Sequence, residues 1–176
     1  MAELGPVEHI VSPNALHSRY MEQYAEAYPS ARLWASPGLR RKRPDLDFQG
    51  KLTNEPEAAW ASDLDSQVFE GLRLLREVCF LHRSSRTLVL TDLAARFEEP
   101  LSRGARMWSK AMGTHARLGT PRGLRLFPRE KAAAKASAER ILSWDFDRVI
   151  VGHGRGVETG GKAELRAAWG WILGRS

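Results

Sequence analysis

The chain has one cysteine in 176 residues, Cys79. A single thiol excludes an internal disulfide and any zinc cluster built on cysteines. Cys79 lies in the apolar run V-C-F-L, so it is expected to be a buried small hydrophobe and not a nucleophile. No apolar stretch approaches the ~20 residues that cross a bilayer. The first six residues, which include Glu3, lack the basic and then apolar profile of a signal peptide. The expectation is a cytoplasmic chain without a membrane partner. Repeats and low-complexity tracts are missing too, which removes solenoids and linkers.

What is present is ordinary globular composition, 43% hydrophobic and 27% charged, over a length that buries one core. One domain spanning residues 1–176 is expected. The net charge is +6 and uneven: residues 101–140 hold ten basic and two acidic residues, a local charge of +8. Such a segment could meet an anion or nucleic acid. Arginine, however, outnumbers lysine 21 to 6 and alanine is abundant, a bias that a GC-rich genome imposes without selection for binding. A solvated basic face is therefore the first reading, and the expected partner is an unknown small molecule, not nucleic acid.

The elements alternate. Residues 8–12 (E-H-I-V-S) read as a strand. Leu16, Tyr20, Tyr24 and Ala27 follow at helical spacing, with Asn14 or Ser12 as cap, and residues 32–35 read as a second strand. That is a strand, helix, strand unit of the parallel type. Residues 64–70 predict another strand, and 77–82 with 87–91 predict a hairpin turning through R-S-S-R; residues 45–63 are turn-rich and stay unassigned. Leu101, Ala105, Trp108 and Met112 form one helical stripe. Ala134, Ala138, Ile141 and Leu142 form another within residues 129–144. A strand at 148–152 then breaks into His153 and Gly154, before a last helix with Leu165, Ala168, Trp169 and Ile172 inward. Most of the six tryptophans fall on these stripes and are expected in the core. The fold class is α/β.

Two strands end in an ionisable residue, L-V-L-T-D at Asp92 and V-I-V-G-H at His153. Ligands of α/β sheets sit at such carboxyl edges. Carboxylate and imidazole together make a partial site for zinc, manganese or iron. The alternatives are a helix cap for Asp92 and a satisfied loop imidazole for His153. The run G-V-E-T-G-G-K (residues 156–162) fits the phosphate-loop pattern, but Ala163 replaces the hydroxyl that would hold magnesium. Those glycines read better as the turn into the last helix, with Thr159 as cap.

The run I-V-S-P-N-A-L-H-S (residues 10–18), the strand A-R-L-W-A, the hairpin leading to T-L-V-L-T-D and the closing D-R-V-I-V-G-H-G resemble, in that order, the metallo-β-lactamase superfamily. More closely, the whole chain resembles one branch of it, a domain-of-unknown-function family with the run P-N-A-L-H and the ending H-G-x-x-V-E-T-G-G. The resemblance implies a metallo-β-lactamase-like layered α/β sandwich, incomplete at the N-terminus because strands ahead of the first motif are missing. A truncated reading frame, a rearranged fold or an obligate homodimer would follow.

By position, Asp92 matches the superfamily's metal-bridging aspartate and His153 its final histidine. Where the superfamily has His-x-His-x-Asp-His, this chain offers only His17, and residues 69–77 (F-E-G-L-R-L-L-R-E) contain no histidine. The resemblance thus implies a degenerate site: metal ligands His17, Asp92 and His153, with Asp92 and His153 also the catalytic candidates, and one ion or none. Two functional readings stay level, a metal-dependent hydrolase of unknown substrate and a non-catalytic ligand- or partner-binding relative. A basic anion or nucleic-acid binder using residues 103–140 comes third.

Overall fold

The computed structural model of the protein describes residues 5–72, 75–126 and 128–174. Expectations that fall on Glu3, Arg73 and Leu74 lie outside the described residues. Two sheets organise the chain. The first is parallel, with β1 (His9–Ser12), β2 (Arg32–Ala35) and β3 (Gly50–Lys51) in that order. The second is β4 (Leu64–Phe69), β5 (Glu77–His82), β6 (Thr87–Val89) and β7 (Arg148–Ile150), antiparallel except for the β6–β7 pair. Helices α1 (Met21–Ala27) and α2 (Leu39–Lys42) follow β1 and β2, while α3 (Arg103–Met112), α4 (Arg122–Arg125) and α5 (Lys131–Ser143) separate β6 from β7. The chain closes with α6 (Gly161–Ala168) and α7 (Gly170–Leu173).

Strand alternation sorts the core into layers. On β2, Leu33 and Ala35 face Met21 and Leu39 of α1 and α2, whereas Trp34 points the other way, to Val68 and Val78 of the second sheet. On β5, Cys79 and Leu81 join the largest cluster, with Ala134, Ala138, Ile141 and Leu142 of α5 and Leu165, Trp169 and Ile172 at the C-terminus. The order is helix, sheet, sheet, helix. Each fully buried Leu, Ile or Phe in such a core contributes ~1.5–3 kcal/mol. The expected strand, helix, strand unit, the hairpin and the two C-terminal stripes are therefore present, and Cys79 is buried as expected.

Three expectations need correction. The first helix begins at Met21, not near Leu16. Asn14 Oδ1 accepts from the amides of Leu16 and His17 at 2.8 and 3.1 Å, and side-chain bonds of this kind compete with helix formation. The residue that faces the core is then Met21, while Leu16, Tyr20 and Tyr24 are all more than half exposed. The stripe on α3 also faces out: Ala105 and Trp108 are exposed, and Ser109 is the buried residue. Trp108 meets the edge of Phe97, at 5.6 Å between ring centres. The tryptophans accordingly divide, with Trp34 and Trp169 in the core, Trp60, Trp144 and Trp171 half-buried, and Trp108 exposed. Residues 45–63, which carried no assignment from sequence, supply β3.

Candidate metal centre

The site is built where β1, β6 and β7 end. The Ser12 hydroxyl, fully buried at the end of β1, lies 2.9 and 3.0 Å from the carbonyl oxygens of Asn14 and His17. Together with the two bonds to Asn14 Oδ1, this fixes the tight turn that presents the His17 ring. β6 leads through Leu90, whose amide donates to Ile150 of β7, into Thr91 and Asp92. The amides of both donate to the carboxylate of Glu77, at 2.6 and 2.7 Å. β7 runs into Gly152, His153 and Gly154, and the His153 carbonyl accepts from the Arg96 amide.

The three side chains converge. His153 Nε2 lies 2.9 Å from Asp92 Oδ1, and His17 Nε2 lies 3.1 Å from each Asp92 oxygen. The two imidazole centres are 5.2 Å apart. Both rings turn Nε2, an atom that can ligate a metal, to the same carboxylate. One ligand atom from each residue falls within 4.8 Å of the other two, and among the described residues this is the one such group of three His, Cys, Asp or Glu side chains. Asp92 is mostly covered, 15% exposed, while His153 is 49% exposed, so the group opens to solvent on the β7 side. The other histidines are spent elsewhere: His9 packs against Trp34 and Trp60, His82 bonds Ser85 in the hairpin turn, and His115 bonds Ser109.

Two residues behind the site were missed from sequence. Asn14 Nδ2 lies 2.8 Å from Asp92 Oδ2, 2.8 Å from Thr91 Oγ1 and 3.3 Å from Glu77, so one amide shapes the His17 turn and steadies the aspartate. Glu77 is fully buried, and burial pushes its carboxyl above the usual range although the Thr91 and Asp92 amides pull the other way. Period-two alternation was the available signal, because it sets Glu77 on the same inward face as Cys79 and Leu81. Burial likewise raises the Cys79 thiol well above its ordinary value, which removes it as a nucleophile.

Two sequence alternatives fail. Asp92 caps no helix, since the segment after it forms isolated bridges from Ala95 to Phe97. The glycine-rich run is no phosphate cradle either. The Gly160 and Gly161 amides donate to Asp147, Lys162 Nζ donates to the Trp144 carbonyl, and the cap of α6 is Gly160, not Thr159.

The profile of a family described as a domain of unknown function (DUF4336) matches residues 1–120. The chain belongs to this family. The matched span contains His17 and Asp92, and His153 follows it. No curated protein matches the DUF4336 chain in sequence. Among solved structures it resembles the metal-soaked Flv1 flavodiiron core from Synechocystis sp. PCC6803, with TM-score 0.65 and 11% identity over 94% of this chain and 43% of that one. It also resembles DIM-1 metallo-beta-lactamase (0.58, 15%, 92% and 67%) and a metallo-beta-lactamase from Pontibacter korlensis (0.59, 10%, 97% and 71%). The DUF4336 chain thus spans less than half of the first of these structures and about two thirds of the second. At such identities the likeness shows the fold, a metallo-β-lactamase-like α/β sandwich, as the sequence resemblance implied. Among the described residues, no helix is long and apolar enough to cross a membrane.

Two expected outcomes follow from the supporting residues. Gly154 has φ +86°, and a Cβ there would run into the Arg96 carbonyl. Gly154→Ala should therefore destabilise the protein by more than ~1 kcal/mol in a urea titration, through backbone strain beside His153. Glu77→Gln replaces an acceptor oxygen by a donor facing backbone amides. In a competition assay with a chromogenic chelator, metal affinity should fall ~10–100-fold while the far-UV spectrum is kept, as for other partners that orient a ligand.

Proposed function

We propose that this DUF4336 chain is a metal-dependent hydrolase-type protein with one divalent ion held by His17, Asp92 and His153. The observation that carries the reading is the convergence of two Nε2 atoms on one carboxylate at 2.9–3.1 Å, from three separate strand ends. The donor set fits: neutral imidazoles with a carboxylate suit zinc, manganese or iron, at spacings near those of donors sharing one ion. Three protein donors leave a coordination position for a ligand, and they are too few for a two-ion clamp. A divalent ion here supplies Lewis-acid chemistry, lowering the pKa of a water and polarising a carbonyl or phosphoryl oxygen. The residues supply placement: Asp92 is held from behind by Asn14 and Glu77, and the half-exposed His153 ring forms the open rim where a substrate enters.

One observation favours a second reading, a relative that binds a ligand or partner without turnover. Among the described residues no fourth His, Cys, Asp or Glu joins the group, so the group itself holds no acid or base beyond the three candidate ligands. Chromogenic ester, β-lactam amide and phosphodiester substrates, offered with zinc, manganese or iron, separate the two. Turnover that disappears in His153→Ala supports the hydrolase. Ion retention with no turnover of any class supports the binder, and failure to retain an ion removes the hydrolase.

A further inference from the structure

On another face of the segment that follows Asp92, a cavity of about 350 Å³ is lined by Arg96, Arg117, Arg125 and Glu164 around Gly113. Its charges do not balance. Arg96 is paired with Glu98 at 2.7 Å and with Glu164 at 3.3 Å, which accounts for both acids. Among the described residues, Arg117, Arg122 and Arg125 have no carboxylate within salt-bridge reach. They are also held together. Arg125 Nε donates to the Thr120 carbonyl at 2.6 Å, and Arg122 Nε and Arg125 Nη2 stand 3.7 and 3.8 Å from the point where a side chain on Gly113 would begin. Burial first, and then the neighbouring charges of Arg117 and Arg122, push the Arg125 guanidinium below its ordinary value.

The scaffold that gathers these groups is itself fixed. Ala95 and Gly119 exchange both amide bonds at 3.0 Å, Phe97 and Ala116 tie the middle of the loop at 2.8 Å, and Thr120 Oγ1 donates to the Leu93 carbonyl at 2.8 Å. Guanidinium forks match the oxygens of a phosphate and bind them with charge-assisted hydrogen bonds. Their convergence on a concave site, rather than a stripe along a face, selects a small molecule over a duplex. We propose that this cavity binds the phosphate group of a small molecule, with Arg117 and Arg125 of its lining as ligands and Arg122 adding positive charge beside Gly113.

Calorimetric titration of the full chain tests this with inorganic phosphate, pyrophosphate and phenyl phosphate as probes, and with a 20-base-pair DNA duplex as competitor. The expected result is saturable 1:1 binding, weakened roughly 10- to 100-fold in Arg125→Ala and in the exposed variant Arg117→Ala. Binding should be unchanged in Arg103→Ala and should persist in Asp92→Ala, which separates it from the metal proposal. Phenyl phosphate tighter than inorganic phosphate identifies a phosphorylated metabolite, and the reverse order identifies free phosphate. No saturable binding, equal weakening by Arg103→Ala, loss in Asp92→Ala, or duplex binding that pyrophosphate cannot displace would each overturn the proposal.

Discussion

Asp92→Ala is expected to abolish metal retention. Oδ1 of this residue is the point on which both imidazoles converge, and Oδ2 is fixed by Asn14, so its removal takes away the one anionic donor and the group that aligns the other two. Partners that only orient a ligand are worth ~10–100-fold in affinity, and loss of the ligand itself should exceed that. The effect should read as zinc removed by dialysis against a weak chelator that the wild type survives. The fold should persist, because the backbone amides at 91 and 92 still donate to Glu77. Wild-type zinc affinity in Asp92→Ala would show that the ion, if any, sits elsewhere.

Trp169→Ala should have the largest effect on stability. The ring is fully buried between α6 and α7, 5.3 Å from Phe69, at the centre of the largest apolar cluster. Its Nε1 has no hydrogen-bond partner among the described residues, so the loss is one of packing alone. Truncations of this kind cost ~3–5 kcal/mol, a large share of the ~5–15 kcal/mol that holds a domain folded. Trp108→Ala, at a ring 52% exposed, should stay within ~0.5 kcal/mol. Equal midpoints for the two variants in urea would contradict the layer assignment.

Legibility followed burial. Strands with apolar runs and the alanine-rich helix were readable because their periodicity matches the faces they cover, and Ala134, Ala138, Ile141 and Leu142 are all buried. Periodicity does not say whether an apolar stripe is covered. Leu16, Tyr20, Tyr24 and Trp108 recur at helical spacing and yet face solvent, while the core takes Met21 and Ser109. The start of α1 was misread because Asn14, taken for a cap, closes a turn before the helix begins. Of the site, the ionisable ends of two strands marked Asp92 and His153, and the P-N-A-L-H run supplied His17. Their meeting came from the family resemblance and not from spacing, since it depends on β6 and β7 pairing across residues 90–147 and on β1 ending beside them. Glu77 was hidden for a simpler reason: a charged residue at the head of an apolar strand looks like an exposed edge unless its alternation with Cys79 is followed inward.

The most direct measurement is the metal content of the full chain, purified without a histidine tag and analysed by inductively coupled plasma mass spectrometry beside His153→Ala. About one zinc, manganese or iron per wild-type chain, missing from the variant, is the predicted result. A metal-free wild type that stays so after incubation with each ion would contradict the account.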